Sequence, residues 1–141
     1  MTISQISVFI ENKPGALALA TSVLSGAGVD VRALSLADTQ DFGILRMIVD
    51  DTTKAKNVLR ASGFVCSVND VLAAEVPDEP GAMTHILERI AETGLNIEYM
   101  YAFVSPKNKK AYIVIRIKDI DGAVVSLVEK GLILADDPMI I

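Results

Sequence analysis

Apolar side chains recur at every second position near the start of the chain, at Ile6, Val8 and Ile10, and predict a strand over residues 3–10. The period then lengthens. Pro14-Gly15 opens a predicted helix, with Pro placed in its first turn. Further on, Met83, Ile86, Leu87, Ile90 and Ala91 follow the i, i+3, i+4, i+7, i+8 spacing of a half-buried helix after Pro80-Gly81. Gly28 and Gly94 stand just past the last turns of these two helices, where a left-handed residue closes a helix. Alternation returns over 29–37 and 43–50, and again over 95–104 and 111–118, each time as two successive strands. Asp51 to Ser62 and Asp119 to Lys130 read as second helices, closed by Gly63 and Gly131. Short strands are expected at 64–68 and 132–135. The order is strand-helix-strand-strand-helix-strand, twice.

The two halves are copies. Pro14-Gly15-Ala16 and Gly28 recur 66 positions later as Pro80-Gly81-Ala82 and Gly94. Asp51, Ala55, Leu59 and Gly63 recur 68 positions later as Asp119, Ala123, Leu127 and Gly131. Two residues have entered between these blocks, fitting the loop around Ser105 to Lys110, where an insertion is tolerated. The fold class is therefore α+β: two ferredoxin-like βαββαβ repeats, 1–68 and 69–141, each an antiparallel sheet with helices on one face. Segment 64–76 joins them without a flexible linker. In the third strand, Leu45, Met47 and Val49 match Ile113, Ile115 and Ile117, and this apolar parity should face the helices. The other parity, Ile44, Arg46 and Ile48 with Tyr112, Val114 and Arg116, is still largely apolar. A second copy of the chain is expected to cover it, giving a homodimer.

Composition narrows the functional classes. The chain has 141 residues with 51% apolar side chains, enough for a packed core. No apolar run approaches the roughly 18–20 residues of a membrane span. The first ten residues hold no Lys or Arg, so no signal-peptide start is expected and the protein is placed in the cytoplasm. Residues 1–68 carry six charges of each sign; residues 69–141 carry seven positive and twelve negative, for a net charge of −5. Nucleic-acid binding needs a basic face, and the only basic cluster is Lys107, Lys109 and Lys110 at a loop tip. Single Cys66 and single His85 exclude an internal disulfide and a histidine metal cluster, and no cofactor is expected.

Candidate chemistry sits in the loop Glu11-Asn12-Lys13-Pro14-Gly15-Ala16, which runs from a strand end into a helix N-terminus. The first N–H groups there lack partners and the helix dipole favours an anion. Gly15 permits close approach to the backbone, and the Asn12 amide both donates and accepts. These are the parts of a carboxylate cradle; the simpler reading is that Pro-Gly starts a helix. In the second copy Asp78 and Glu79 replace Asn12 and Lys13, so that loop should be the weaker anion site.

The run Glu-Asn-Lys-Pro-Gly-Ala-Leu-Ala, a helix, then Gly-Val-Asp-Val resembles the signature of the ACT domain, a βαββαβ module that binds amino acids and regulates metabolic enzymes. Segments 41–46 (Asp-Phe-Gly-Ile-Leu-Arg) and 97–101 (Ile-Glu-Tyr-Met-Tyr) are similar to those of stand-alone tandem-ACT proteins. The resemblance implies an amino acid held between two modules. Its carboxylate would meet loop positions Asn12, Pro14, Gly15, Ala16 and Leu17. The second strand of another module would contribute Asp30 and Val31, or Asn96 and Ile97 in the second repeat. Asp30 replaces the Asn common among amino-acid-binding members; as an acid it could pair with an α-ammonium or simply be a solvated turn residue. Ile10 stands where some members carry a polar loop residue.

Other residues read more simply. Arg46 suits an interface ion pair better than a carboxylate clamp. Tyr99, Tyr101 and Phe103 share one strand face as core or interface residues, His85 is a surface histidine, and Cys66 a small buried hydrophobe. No nucleophile, base and orienting residue cluster together, so no catalysis is expected. The chain reads as a non-catalytic amino-acid-binding sensor. The alternative is a regulatory subunit or interaction module of a metabolic enzyme that binds no free amino acid. Apolar residues beside both loops favour an apolar or aromatic ligand.

Overall fold

The computed structural model describes residues 1–38 and 40–137. The elements run β1 (Ile3–Glu11), α1 (Ala16–Gly26), β2 (Val31–Asp38), β3 (Phe42–Val49), α2 (Thr52–Ala61), β4 (Val65–Val76), α3 (Ala82–Glu92), β5 (Ile97–Val104), β6 (Ala111–Ile117) and α4 (Ile120–Glu129). The chain divides into two compact units: Ser4–Asn69, and Asp70 onward together with Met1–Ile3. β4, twelve residues long, carries the chain from one unit into the other. Extended strand therefore continues where a flexible linker would interrupt it.

In the first unit β1 pairs antiparallel with β3, and β3 with β2. Ile6, Val8, Leu45, Met47 and Val49 share one side of this sheet and pack on Ala20 and Leu24 of α1 and Ala55 and Leu59 of α2. In the second unit β4 pairs with β6, and β6 with β5. There Leu72, Ala74, Ile113, Ile115 and Ile117 meet Ile86 and Ile90 of α3 and Ala123 and Leu127 of α4. The third-strand parity expected to face the helices does so in both units. β2 and β5 each carry one register irregularity at the same repeat position, between Val31 and Ala33 and between Ile97 and Tyr99.

Helix ends follow local chemistry. Gly28 and Gly94 hold φ of 70° and 74°, the left-handed closure expected of them. The Val29 N–H donates back to the Leu24 carbonyl at 3.0 Å, which ties the chain into β2. Asp51 and Asp119 cap α2 and α4, accepting from the N–H of Lys54 at 2.9 Å and of Gly122 at 3.3 Å.

Two expectations change. No strand forms at 132–135: the segment makes one bridge, Ala74 to Leu134, with the Glu75 N–H donating to Ile133 O and the Ala135 N–H to Ala73 O, both at 2.8 Å. Pairing with one stretch of β4 leaves too few consecutive bonds for a ladder. On the second sheet parity, Ile48 and Val114 are fully buried within the single chain. A partner copy would thus have less of this face to cover than the sequence suggests. Phe9, opposite Ile44, and Phe42 remain exposed on this face, and on the helix side of the sheet Leu34 and Leu36 of β2 are 52% and 48% exposed.

Candidate functional site

The loop between β1 and α1 is shaped by its backbone. Gly15 adopts φ 85° as the residue preceding the helix, a conformation that favours glycine, and Pro14 lies before the helix rather than in its first turn. The Lys13 N–H donates to Glu11 O at 2.9 Å and the Ala16 N–H to Lys13 O at 3.3 Å, a tight double turn. The Leu19 N–H donates to Gly15 O at 3.0 Å. No side chain caps α1, so the N–H groups of Leu17 and Ala18 have no acceptor among the described residues. The loop between β4 and α3 repeats this bond for bond: Glu79 N–H to Pro77 O, Ala82 N–H to Glu79 O and His85 N–H to Gly81 O, with Gly81 at φ 87° and no side-chain cap. α2 and α4 are capped and α1 and α3 are not.

A hollow of about 80 Å³ opens beside the first loop, lined by Ile10, Glu11, Asn12, Lys13, Leu17, Leu36, Asp38 and Gly43. Pairing of Ile10 with Gly43, and of Asp38 with Gly43, brings the far end of β2 to the loop. Leu36 leans over Gly43: a Cβ there would stand 3.1 Å from Leu36 Cδ1. The Asn12 N–H donates to Asp41 O at 3.0 Å and anchors the loop to the β2–β3 turn. Glu11 and Lys13 pair at 2.8 Å; the Lys13 hydrogen bond and then its charge hold the Glu11 carboxyl below the usual carboxylate range. The second unit has the matching hollow, about 180 Å³, with Val76, Pro77, Asp78, Glu79 and Met83 at the same loop and helix positions and Ala102 in place of Leu36. The smaller Ala102 enlarges it and two carboxylates line its mouth.

Of the residues singled out in the sequence, Asn12 and Leu17 line the first hollow and Gly15 and Pro14 shape the loop beside it. Ala16 lines a different depression, against Phe64 and Val65. Asp30 and Val31 are not brought to their own unit's loop. Val31 pairs with Val49, at the end of the sheet away from Gly43, and packs toward the core. The Asp30 carboxylate is held by Arg32 at 2.8 Å, and its N–H donates to Asp50 Oδ1 at 2.9 Å. Ile97 pairs with Ile117 and packs on the second core, and Asn96 is exposed just before it. Sequence reasoning missed Leu36, Asp38 and Gly43; the hairpin register of β2 on β3 is the signal that finds them. Elsewhere, Phe103 stacks on Tyr112 with ring centroids 5.5 Å apart, Arg116 donates to Asp70 O at 2.7 Å, His85 is exposed and Cys66 lies in the first core. Among the described residues no group of three or more His, Cys, Asp or Glu is placed to hold a metal, and no helix is long and apolar enough to cross a membrane.

Comparison with known proteins adds to this geometry. A family model described as an ACT domain pair matches residues 1–140. A crystal structure of a protein from Bacteroides thetaiotaomicron is 37% identical, covers 99% of this chain and 96% of its own, and superposes with a TM-score of 0.90. The fold is also that of the regulatory subunit of aspartate kinase from Thermus thermophilus, solved ligand-free: 15% identity, 90% of this chain, 91% of that one, TM-score 0.62. The corresponding subunit from Thermus flavus gives 18% identity, 91% and 92% coverage, and a TM-score of 0.59. Among curated proteins, none matches the chain in sequence.

Proposed function

Because the chain belongs to the ACT domain pair family, we propose that it is a non-catalytic, cytoplasmic regulatory protein that binds a free amino acid at the β1–α1 loop and works as a homodimer. One observation carries the reading: in each unit an uncapped helix N-terminus opens beside a hollow formed by loop, helix and second strand. Amides without acceptors at a helix start suit a carboxylate. The amides of Leu17 and Ala18 would take the ligand's carboxylate, with Asn12, Leu36 and Asp38 about its remainder. At about 80 Å³ the first hollow is well below the ~300 Å³ at which small-molecule pockets begin. An amino acid there would have to be covered by a second surface, which is the reason for placing the site between modules. Asp30, Val31, Asn96 and Ile97 remain proposed contributors from another module. The second unit, with Asp78 and Glu79 at its loop, would be the weaker anion site. The repeats 1–68 and 69–141 would be the binding modules. Binding would favour one arrangement of modules that a metabolic enzyme then reads, by population shift.

The test is thermal unfolding of the purified chain against each of the twenty amino acids. A ligand at 100 times its Kd adds roughly 2.7 kcal/mol, a rise of several degrees for a chain of this size. A rise with one or a few apolar or aromatic amino acids is expected. Silence across all twenty would overturn the sensor reading in favour of an enzyme's interaction module that binds no free amino acid.

A further inference from the structure

Each unit carries a second hollow, bordered by its first helix and by the turn after its second helix. In the first unit it measures about 320 Å³, and Phe9, Leu19, Phe42, Phe64 and Val65 line it. In the second it measures about 300 Å³. The two occupy matching repeat positions: Ala16, Gly63 and Val65 in one, Ala82, Gly131 and Ile133 in the other. The fold therefore makes this space in both units, and the side chains decide what it suits.

The second unit is an internal control on those side chains. Where the first unit has Phe9 and Phe42, the second has Glu75 and Lys110, joined by an ion pair at 2.9 Å. The registers agree: Phe9 lies opposite Ile44 as Glu75 lies opposite Tyr112, and Phe42 and Lys110 each stand two residues before those partners. Side chains at these two places are diagonal neighbours on one sheet face. Leu19 likewise corresponds to His85. Charged and polar groups thus satisfy the fold at three of these positions, and packing does not require apolar ones. Yet Phe9, Leu19, Phe42 and Val65 are between 48% and 67% exposed. Apolar groups held open around one concave space mark a binding site. Ala16 and Phe64, which pack on the first core, border the same space.

The polar groups of the hollow limit its occupant. Glu11 and Lys13 also line it, but they pair with each other at 2.8 Å and present no net charge. The Ser62 hydroxyl makes no hydrogen bond among the described residues. We propose that the first-unit hollow binds a small, uncharged aromatic molecule with one hydrogen-bonding group. The ring lies among Phe9, Phe42 and Phe64, in offset or edge-on stacking, and its polar group meets the Ser62 hydroxyl. The volume stands at the lower end of small-molecule pockets, which keeps the ligand small. A free amino acid suits the hollow less, because its two charges find Glu11 and Lys13 already engaged. The proposal does not rest on amino-acid binding at the β1–α1 loop.

The test titrates the full chain with indole, and separately with indole-3-acetate, and follows backbone amide resonances by NMR. Indole should shift amides in 9–19, at 42 and in 62–65, and leave the matching segments 75–85 and 130–133 unmoved. Indole-3-acetate should bind at least about tenfold more weakly, because its carboxylate has no partner there. The double variant Phe9→Glu, Phe42→Lys puts the second unit's ion pair into the first, and the second unit shows that the fold accepts it. It should weaken indole at least about tenfold, on the order of one lost aromatic contact, with the sedimentation mass unchanged. Leu19→His, again copying the second unit at an exposed position, should weaken indole as well. Equal shifts in both units, equal binding of indole-3-acetate, or unchanged affinity in both variants would overturn the proposal. So would an absence of shifts with indole; a double variant that then falls to the single-chain mass would assign this face to a second copy instead.

Discussion

Gly15 and Gly81 hold φ of 85° and 87° although a Cβ at Gly15 would meet nothing within 4 Å. The glycine is therefore needed for backbone conformation, not for room. Gly15→Val should destabilise the chain by roughly 1–2 kcal/mol, the cost of a left-handed residue with a branched side chain, and Gly15→Asn by clearly less. Thermal melts of the two variants check this; equal melts would mean that the loop relaxes to another conformation. Substitution at Gly15 is consequently a poor probe of ligand binding alone. Beside it, Glu11 is exposed and its carboxyl is lowered by the hydrogen bond and charge of Lys13. A depressed carboxyl supports the folded state above its ordinary range near 4.5, and that support fades as pH falls through the lowered value. In Lys13→Met the Glu11 titration, followed by carboxyl NMR, should return to the ordinary range.

Among the elements, the helices divide by how they begin. α2 and α4 are closed by Asp51 and Asp119, while α1 and α3 begin on left-handed glycines with open amides. Asp51→Ala should cost about 1 kcal/mol in denaturant unfolding, the usual value of such a cap. Leu59, fully buried on the same helix, should cost about 2–5 kcal/mol as Leu59→Ala, because it leaves a cavity as well as losing burial. Both aspartates and both leucines were legible as repeated identities in the sequence. The strand expected at 132–135 was not decidable there, because a few apolar residues beside a glycine suit a strand and a single bridge equally.

For the whole molecule, the open apolar groups and the small first hollow are what the proposed association would cover. Leu34 and Leu36 lie on β2 with its outer edge unpaired among the described strands, and such an edge invites another chain. Sedimentation should therefore report twice the 15.1 kDa chain mass, and Leu36→Lys should shift it toward the single chain while the circular dichroism stays native. A single-chain mass at micromolar concentration would remove the homodimer, and with it the second surface proposed to close the loop site.

Sequence alone determined the duplication, the strand-helix-strand-strand-helix order of each copy and the core parity of the third strands. Hydrophobic periodicity and glycine placement are local signals that each repeat states twice, at 66 and 68 residues' spacing. It also led to the β1–α1 loop, because Pro-Gly before a helix is itself local. Tertiary structure decided which residues meet that loop. Leu36, Asp38 and Gly43 reach it through hairpin register, whereas Asp30 and Val31 stand at the other end of β2. It alone set Phe9, Phe42 and Phe64 around one hollow, three residues far apart in the chain. Register and packing depend on pairs of distant residues at once, and no single stretch of sequence contains them.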